Sequence, residues 1–478
     1  LSTPKSFITP AIRNSVLIAC ASAFAVGCGF QQYIAKPIST EAITAKLQSK
    51  STDTEAFHQY LIQNGYTRAQ LPLQQWGVDD LTYCALFFHT SLDVARAQWR
   101  SAVSRQSGAS EKPIPVANTH FARSNNANED IRPFALGLSI DISFETANKR
   151  DIRIENARHL SEAAKLEVAQ RAWELRNQVA QSLHAYQLNQ KQIALLSSEQ
   201  AFRNEIVAIF QKRLDLGAAS SVELSNAKLQ LQGTTAELNA LQQKKLALRT
   251  NLASQIGLPL HAVETMQLTP VDELALPHGA TESLSDAQKA ALLNRLDIRI
   301  ALERYSAAEA KLKLEIAKQY PDIVISPGYA YEFGDKIWSL GLSGLLTILN
   351  KNKIAISEAQ QLREVEAAQF EALQNTVISE VNSAYAKVAQ AKLTLEEQTK
   401  LYAQQKNNTQ RITRRLSAGE TDRLELAYAK LEEHFAEKNL TNASFELQSA
   451  LIEFENARQL PINGINNIKP EALAVKEQ

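Results

Sequence analysis

Two stretches of this chain, Asp151 to Leu216 and Lys351 to Ala418, contain neither glycine nor proline. No other feature limits the fold so severely. With no residue to break the backbone pattern, each stretch reads as one unbroken helix, and at ~1.5 Å per residue each runs close to ~100 Å. The abundance of Ala, Leu, Gln, Glu and Lys agrees, as do the low counts of glycine (16) and proline (14) among 478 residues. Helices this long and thin have no globular core to bury them. Val377, Val381, Ala384, Val388, Ala391 and Leu395 follow alternating steps of four and three, a heptad seam that requires a partner helix. Leu224, Leu231, Leu238 and Leu252 recur every seven or fourteen residues, with Ala227, Leu241 and Leu248 on the companion position and Lys245 interrupting the seam.

Both stretches end in nearly the same words. From Arg213 the chain reads RLDLGAASSVELSNAKL and from Arg415 it reads RLSAGETDRLELAYAKL, so that Gly217 answers to Gly419, 419 − 217 = 202. Upstream, Leu136-Gly137-Leu138-Ser139 returns as Leu340-Gly341-Leu342-Ser343 at an offset of 204, as do Asn148-Lys149 at Asn352-Lys353 and Leu92-Asp93 at Leu296-Asp297. Ordered matches along a nearly constant offset mean that one unit occurs twice, at 76–270 and 283–462, with a tail at 463–478. Each copy opens with an Ala-rich helix (Leu92 to Ala102; Leu296 to Ile316) and meets a proline (Pro113 and Pro115; Pro321). Two strand-like segments follow. They are Val116 to Ser124 and Phe134 to Phe144, joined by SNNANED, then Asp322 to Tyr331 and Trp338 to Ile348, joined by Phe333-Gly334-Asp335. The strand hairpins so occupy 115–144 and 322–348, and the long helices 151–256 and 354–459. Segments of ~10 residues match what a tilted strand needs to cross an outer membrane, and a soluble hairpin is the alternative. Gly217 and Gly419 break each long run into an up-and-down pair, because glycine takes the left-handed conformation that ends a helix. The expected architecture is therefore long antiparallel coiled-coil hairpins with four strands per chain, packed side by side into a barrel or bundle with other copies.

Charge is balanced, 51 basic against 51 acidic residues, so nothing in it points to nucleic acid. Lys5 and Arg13 precede an apolar run from Ser15 to Gly27, too short for a permanent span. The run ends in Ala25-Val26-Gly27-Cys28, which resembles a bacterial lipobox, in which the cysteine becomes the lipidated first residue. That reading makes 1–27 a signal peptide and 28–75 a lipidated extension. Leu17-Ile18-Ala19-Cys20 fits the box slightly better but leaves too short an apolar core, and an ordinary cleaved signal is the third reading. With Cys20 removed and Cys28 lipidated, Cys84 stands alone and no intrachain disulfide forms.

No catalytic, cofactor or metal constellation emerges. The eight histidines are scattered without metal-ligand spacing, His184 and His434 reading as solvated or satisfied helix residues. Met266 is the one methionine, and carboxylates on such helices ordinarily pair with Lys or Arg a turn away. No enzyme is expected.

The ordered set, from the tandem repeat through LDVARAQWRSA, the proline before the strands and the LGLS strand end to RLSAGETDRLEL, resembles the TolC-like outer membrane efflux proteins. Cys28 followed by Tyr33 and Pro37 is similar to their lipoprotein branch. The resemblance implies an α+β membrane protein, a homotrimer whose chains each give four strands to one 12-stranded outer-membrane β-barrel. The helices then continue as a periplasmic α-barrel. It implies a passive conduit held in outer-membrane lipid, docked to a periplasmic adaptor and through it to an inner-membrane pump. Gly217 with Ala218 and Gly419 with Glu420 match the adaptor-facing turns. Glu425 stands where the family places an acidic periplasmic gate residue, with Tyr428 where a second acid can occur. Glu223 repeats Glu425 in the first copy, so a structural helix carboxylate is the competing reading. The rival function is a lipid-anchored periplasmic coiled-coil adaptor or scaffold without a pore.

Overall fold

A computed structural model describes residues 31–125, 132–270, 283–344 and 351–460, in two units, Leu1–Ser49 and Lys50–Gln478. Cys20, Cys28 and the 463–478 tail lie outside the described residues, as do most of the SNNANED loop and the end of the last expected strand, 345–348. In the first unit the chain is extended and then helical in α1 (Thr40–Gln48), where the Ser39 hydroxyl oxygen accepts from the Ala42 N–H at 3.2 Å.

The second unit begins with α2 (Glu55–Gln63), α3 (Val78–Phe88) and α4 (Thr90–Ala109). The extension expected to reach residue 75 stops at Ser49, because Phe57, Tyr60 and Leu61 are buried in one cluster with Leu81, Leu175 and Leu252. Then come the long α5 (Lys149–Asp215), α6 (Ser221–Ile256) and the short α7 (Leu260–Glu264). The second half repeats the plan in α8 (Leu284–Asn294), α9 (Leu296–Ala317), α10 (Lys353–Ser417) and α11 (Arg423–Arg458). α5 packs on α6 and on α11, and α11 packs on α10, so the helices form one layer in the order α6, α5, α11, α10.

The seam residues account for that layer. Val377, Val381, Ala384, Val388 and Ala391 of α10 are buried in a cluster with Leu447, Ala450, Leu451 and Phe454 of α11. Small Ala and Val side chains let the two helices approach closely along their length. In α6, Leu224, Leu238 and Leu252 are buried and Lys245 is half-buried.

Four strands form one antiparallel sheet in the order β1 (Val116–Arg123), β2 (Phe134–Phe144), β3 (Ile323–Glu332) and β4 (Asp335–Ser343). β4 starts three residues before the expected Trp338, because Phe333 and Gly334 both adopt positive φ (49° and 120°) and close a two-residue hairpin. Register puts Leu138, Tyr329 and Trp338 in one row and Ser139 opposite Gly328 on the other face. One face is thus apolar and the other small and polar.

The repeat is now measurable in the backbone. Asn148 and Asn352 open α5 and α10 in the same left-handed conformation, φ 55° and 51°, at the 204 offset. α5 has 67 residues and α10 has 65, so the two-residue shortening lies inside the long helix. The Leu92/Leu296 match is out of step with the helices: Leu296 opens α9, whereas α4 begins at Thr90. The helix starts differ by 296 − 90 = 206, two more than the offset of the letters.

Where α6 ends, Gly257 has φ 74°, and a Cβ there would lie 2.7 Å from the His89 Cα. The Lys50 ammonium donates to the Phe88 carbonyl at 2.6 Å and to that of Gly257 at 3.1 Å, drawing two helix ends together. Gly257→Ala is expected to cost ~1–3 kcal/mol, seen as a lower thermal unfolding midpoint in detergent. Gly233→Ala, mid-helix with nothing within 4 Å of the added Cβ, should instead stabilise by about 0.5–1 kcal/mol.

Candidate functional site: the paired helical turns

The two repeated turns have the same hydrogen bonds. Gly217 (φ 71°) donates to the Leu214 carbonyl at 2.9 Å, and Ala218 to that of Arg213 at 2.7 Å. Gly419 (φ 75°) donates to Leu416 at 3.0 Å, and Glu420 to Arg415 at 2.9 Å. This double closure satisfies the last carbonyls of α5 and α10 and requires a left-handed residue, which glycine supplies without a Cβ penalty. Gly217, Ala218, Gly419 and Glu420 are all exposed, and Leu216 beside them is an exposed apolar side chain.

The next helix starts differ in chemistry. In the first copy Ser220 caps α6, and the Glu223 carboxylate accepts from the Ser220 N–H at 2.7 Å and from its hydroxyl at 2.8 Å. The Ser220 N–H and then its hydroxyl hold the Glu223 carboxyl below its ordinary range. In the second copy Asp422 caps α11, accepting from the Glu425 N–H at 2.9 Å. The Glu425 N–H and then the Arg213 guanidinium hold the Asp422 carboxyl below its ordinary range.

Arg213 joins the two turns. Its Nη2 donates to Asp422 Oδ2 at 2.7 Å across 209 residues of chain. Beneath this pair, Ile206 and Phe210 of α5, Leu224 and Ala227 of α6, and Ala427 and Leu431 of α11 share one buried cluster. The repeat equivalents do not reproduce the link. Arg415 stands where Arg213 does (415 − 213 = 202), but Ser220 stands where Asp422 does (422 − 220 = 202). Arg415 instead donates to Glu425 Oε1 at 3.1 Å and lies 3.9 Å from Glu420.

Glu425 therefore occupies the third position of α11, with its carboxylate taken by Arg415 and the Thr421 hydroxyl. Glu223 in the first copy differs: its carboxylate bonds the Ser220 N–H and closes a capping box, whereas that of Glu425 is held by side chains. Tyr428 is exposed one turn further on. Arg213 was legible as part of the repeat; its partner was not, since nothing local points to Asp422.

Elsewhere, Cys84 is fully buried in apolar surroundings that push its thiol well up. Among the described residues no group of three or more His, Cys, Asp and Glu side chains gathers to hold a metal ion. No helix there is long and apolar enough to cross a membrane, which leaves the sheet untouched by that test.

Helices in one thin layer, capped by a sheet with a bare apolar face, define a class: the fold is that of outer-membrane efflux channels. Residues 89–258 match the family model of the outer membrane efflux proteins. The cobalt-zinc-cadmium resistance protein CzcC of Cupriavidus metallidurans is 25% identical over 247 residues, 50% of this chain and 56% of that relative. The match thus spans little more than half of the curated relative. Among solved structures, the outer-membrane channel OprN covers 92% of this chain and 99% of its own at TM-score 0.66 and 18% identity. The outer membrane protein VceC of Vibrio cholerae covers 81% and 96% at TM-score 0.65 and 17% identity. The CmeC outer membrane channel of Campylobacter jejuni covers 93% and 97% at TM-score 0.64 and 15% identity.

Asp422→Ala removes a helix cap and frees Arg213 together. It should cost ~0.5–2 kcal/mol locally and raise amide hydrogen exchange at 213–225 as well as at 420–426. Exchange confined to the second turn would show that the Arg213 contact holds nothing. Because the Asp422 carboxyl is depressed, its contribution is complete above the ordinary value near ~3.9 and is lost only as pH falls below it.

Proposed function

We propose that this chain is one subunit of a trimeric outer-membrane channel, a passive conduit of a tripartite efflux system. The sheet carries the reading. Trp338, Leu340, Leu342 and Phe121 are 82%, 76%, 76% and 68% exposed on one face. The opposite face bears Asn118, whose amide donates to Asp141 at 2.8 Å, with Ser139, Gly328 and Gly341. Lipid suits the first face and a water-filled lumen the second. Among the described residues β1 and β4 each keep one edge unpaired, and in lipid every such backbone group needs a partner. Other copies of the same chain supply them, and three copies give twelve strands.

The repeat supports a definite register. Ser343 is the equivalent of Ser139 (343 − 139 = 204). Ala122 is the equivalent of Gly328, since Ala122 faces Ala135 and Gly328 faces Ser339, the equivalent of Ala135. Ser139 faces Gly328 within the chain, so Ser343 faces Ala122 of a second copy. The same reasoning sets Arg415 of one copy opposite Ser220 of the next. The grooves between chains then lack the bond that Arg213 and Asp422 make within a chain.

In this reading lipid on Cys28, with Cys20 as the alternative, anchors the chain, and the helices extend into the periplasm. The exposed turns at Gly217, Ala218, Gly419 and Glu420 meet a periplasmic adaptor, which connects to an energised inner-membrane pump. Glu425 narrows the periplasmic mouth when adaptor contact is absent, and Arg415 holds it in place. The name of the curated relative makes cobalt, zinc and cadmium ions the first cargo to test.

Purified protein in planar bilayers is expected to give discrete single-channel conductance; silence there, with a monomer in detergent, would favour the pore-less scaffold. Gly217→Arg and Gly419→Arg should each abolish metal or drug resistance in cells while trimer yield and outer-membrane fractionation stay unchanged. A bulky cation needs a strained backbone there and blocks the turn. Normal resistance in both variants would remove the turns as docking sites.

A further inference from the structure

The contacts between α5 and the second half of the chain include three histidines, His159 and His184 on α5 and His434 on α11. His159 Nδ1 lies 2.7 Å from Glu303 Oε2 of α9. His184 Nε2–H donates to the Phe445 carbonyl of α11 at 2.9 Å, with the two rings 5.2 Å apart. His434 of α11 is only 4% exposed, its ring 5.8 Å from that of Phe202 on α5.

His434 sits in a buried polar layer. Glu199 of α5 is 3% exposed, and its Oε1 accepts from Arg203 Nε at 2.7 Å and from the Thr234 hydroxyl of α6 at 3.0 Å. Glu199 Oε2 and His434 Nε2 are both buried without a hydrogen-bond partner. On its own helix His434 has Glu437 at 3.7 Å through Nδ1, while the neighbouring Lys438 is drawn to Glu237 of α6 at 3.3 Å. Such a layer is unusual in a coiled-coil seam, where an isolated polar group costs stability and commonly serves register or switching.

We propose that this seam is acid-labile: protonation of His434, together with His184, charges the buried face between α5 and α11 and drives the two helices apart. Burial leads among the influences on His434 and, with Lys438, outweighs the pull of Glu437, Glu199 and the Leu195 carbonyl, holding the imidazole below its ordinary value. Burial likewise lowers His184, against the opposing effect of the Phe445 carbonyl. Both rings are therefore neutral at neutral pH, and the closed seam has its full stability above the ordinary histidine value near ~6.5. As pH falls through that value the separated helices take up protons first, and closure weakens until the lowered values are passed. If the chain is the channel proposed above, the parting widens the groove within each subunit, the groove that Arg213 and Asp422 tie at its end. The helix separation itself does not depend on that reading.

Spin labels at Ser198→Cys and Asn439→Cys, exposed positions on α5 and α11, report the separation in the full chain in detergent with Cys20 and Cys28 changed to Ser; Cys84 is buried and stays unlabelled. One narrow distance population is expected near pH ~7.5, and a second, longer one should grow as pH falls below the ordinary histidine value of ~6.5. In His434→Gln/His184→Gln the longer population should fall at least about fivefold at the same acid pH, the loss of a two-state shift of ~1 kcal/mol. His434→Leu, which removes the titrating ring and keeps apolar bulk, replaces Gln if that protein does not fold. A wild-type distance that stays fixed, or shortens as His434 pairs with Glu199, overturns the proposal, as does a pH response that survives without the histidines. Conductance of the same samples separates this result from failure of the channel reading.

Discussion

A β-strand edge offers a row of N–H and C=O groups, and lipid offers them nothing in return. The rest of this chain's organisation follows from that constraint. Its sheet has four strands with one exposed apolar face and, among the described residues, two unpaired edges. Each unsatisfied group in lipid costs several kcal/mol, so one chain cannot leave its sheet open there. In the proposed channel, closure through identical copies would make every edge a partnered strand and give the apolar face one consistent environment. A closed ring of strands would demand a ring of helices one layer thick, and the order α6, α5, α11, α10 suits it.

Duplication solves the closure problem cheaply, since one hairpin-and-helix unit used twice builds a wall segment and the same contacts recur around the ring. The copies are nevertheless unequal where they meet. Within a chain, Arg213 reaches Asp422, and His184 and His434 line the seam; the repeat equivalents of Arg213 and Asp422 are Arg415 and Ser220.

Much of this was legible in the letters. Freedom from glycine and proline announced α5 and α10, and the valine-alanine heptad named the buried face of α10 correctly. Gly217 and Gly419 end their helices with positive φ because the turn bonds require it. What escaped was non-local or short. Phe57 and Tyr60 belong to the main core through contacts more than a hundred residues away, which local patterning cannot report. The 11-residue α3 and α8 are too brief for a periodic signal. Glu425 shows the limit at the candidate site: its spacing from Gly419 was legible, while its side-chain partners Arg415 and Thr421 were not.

The central claim is that β4 of one copy pairs with β1 of the next in the register the repeat dictates. Ala122→Cys combined with Ser343→Cys, oxidised in intact outer membranes, tests it directly. Covalent species at two and three times the chain mass are predicted, with neither single variant giving a trimer and a one-residue shift to Ala122→Cys with Leu342→Cys cross-linking far less. Oxidised protein that runs only at the mass of one chain would contradict the account.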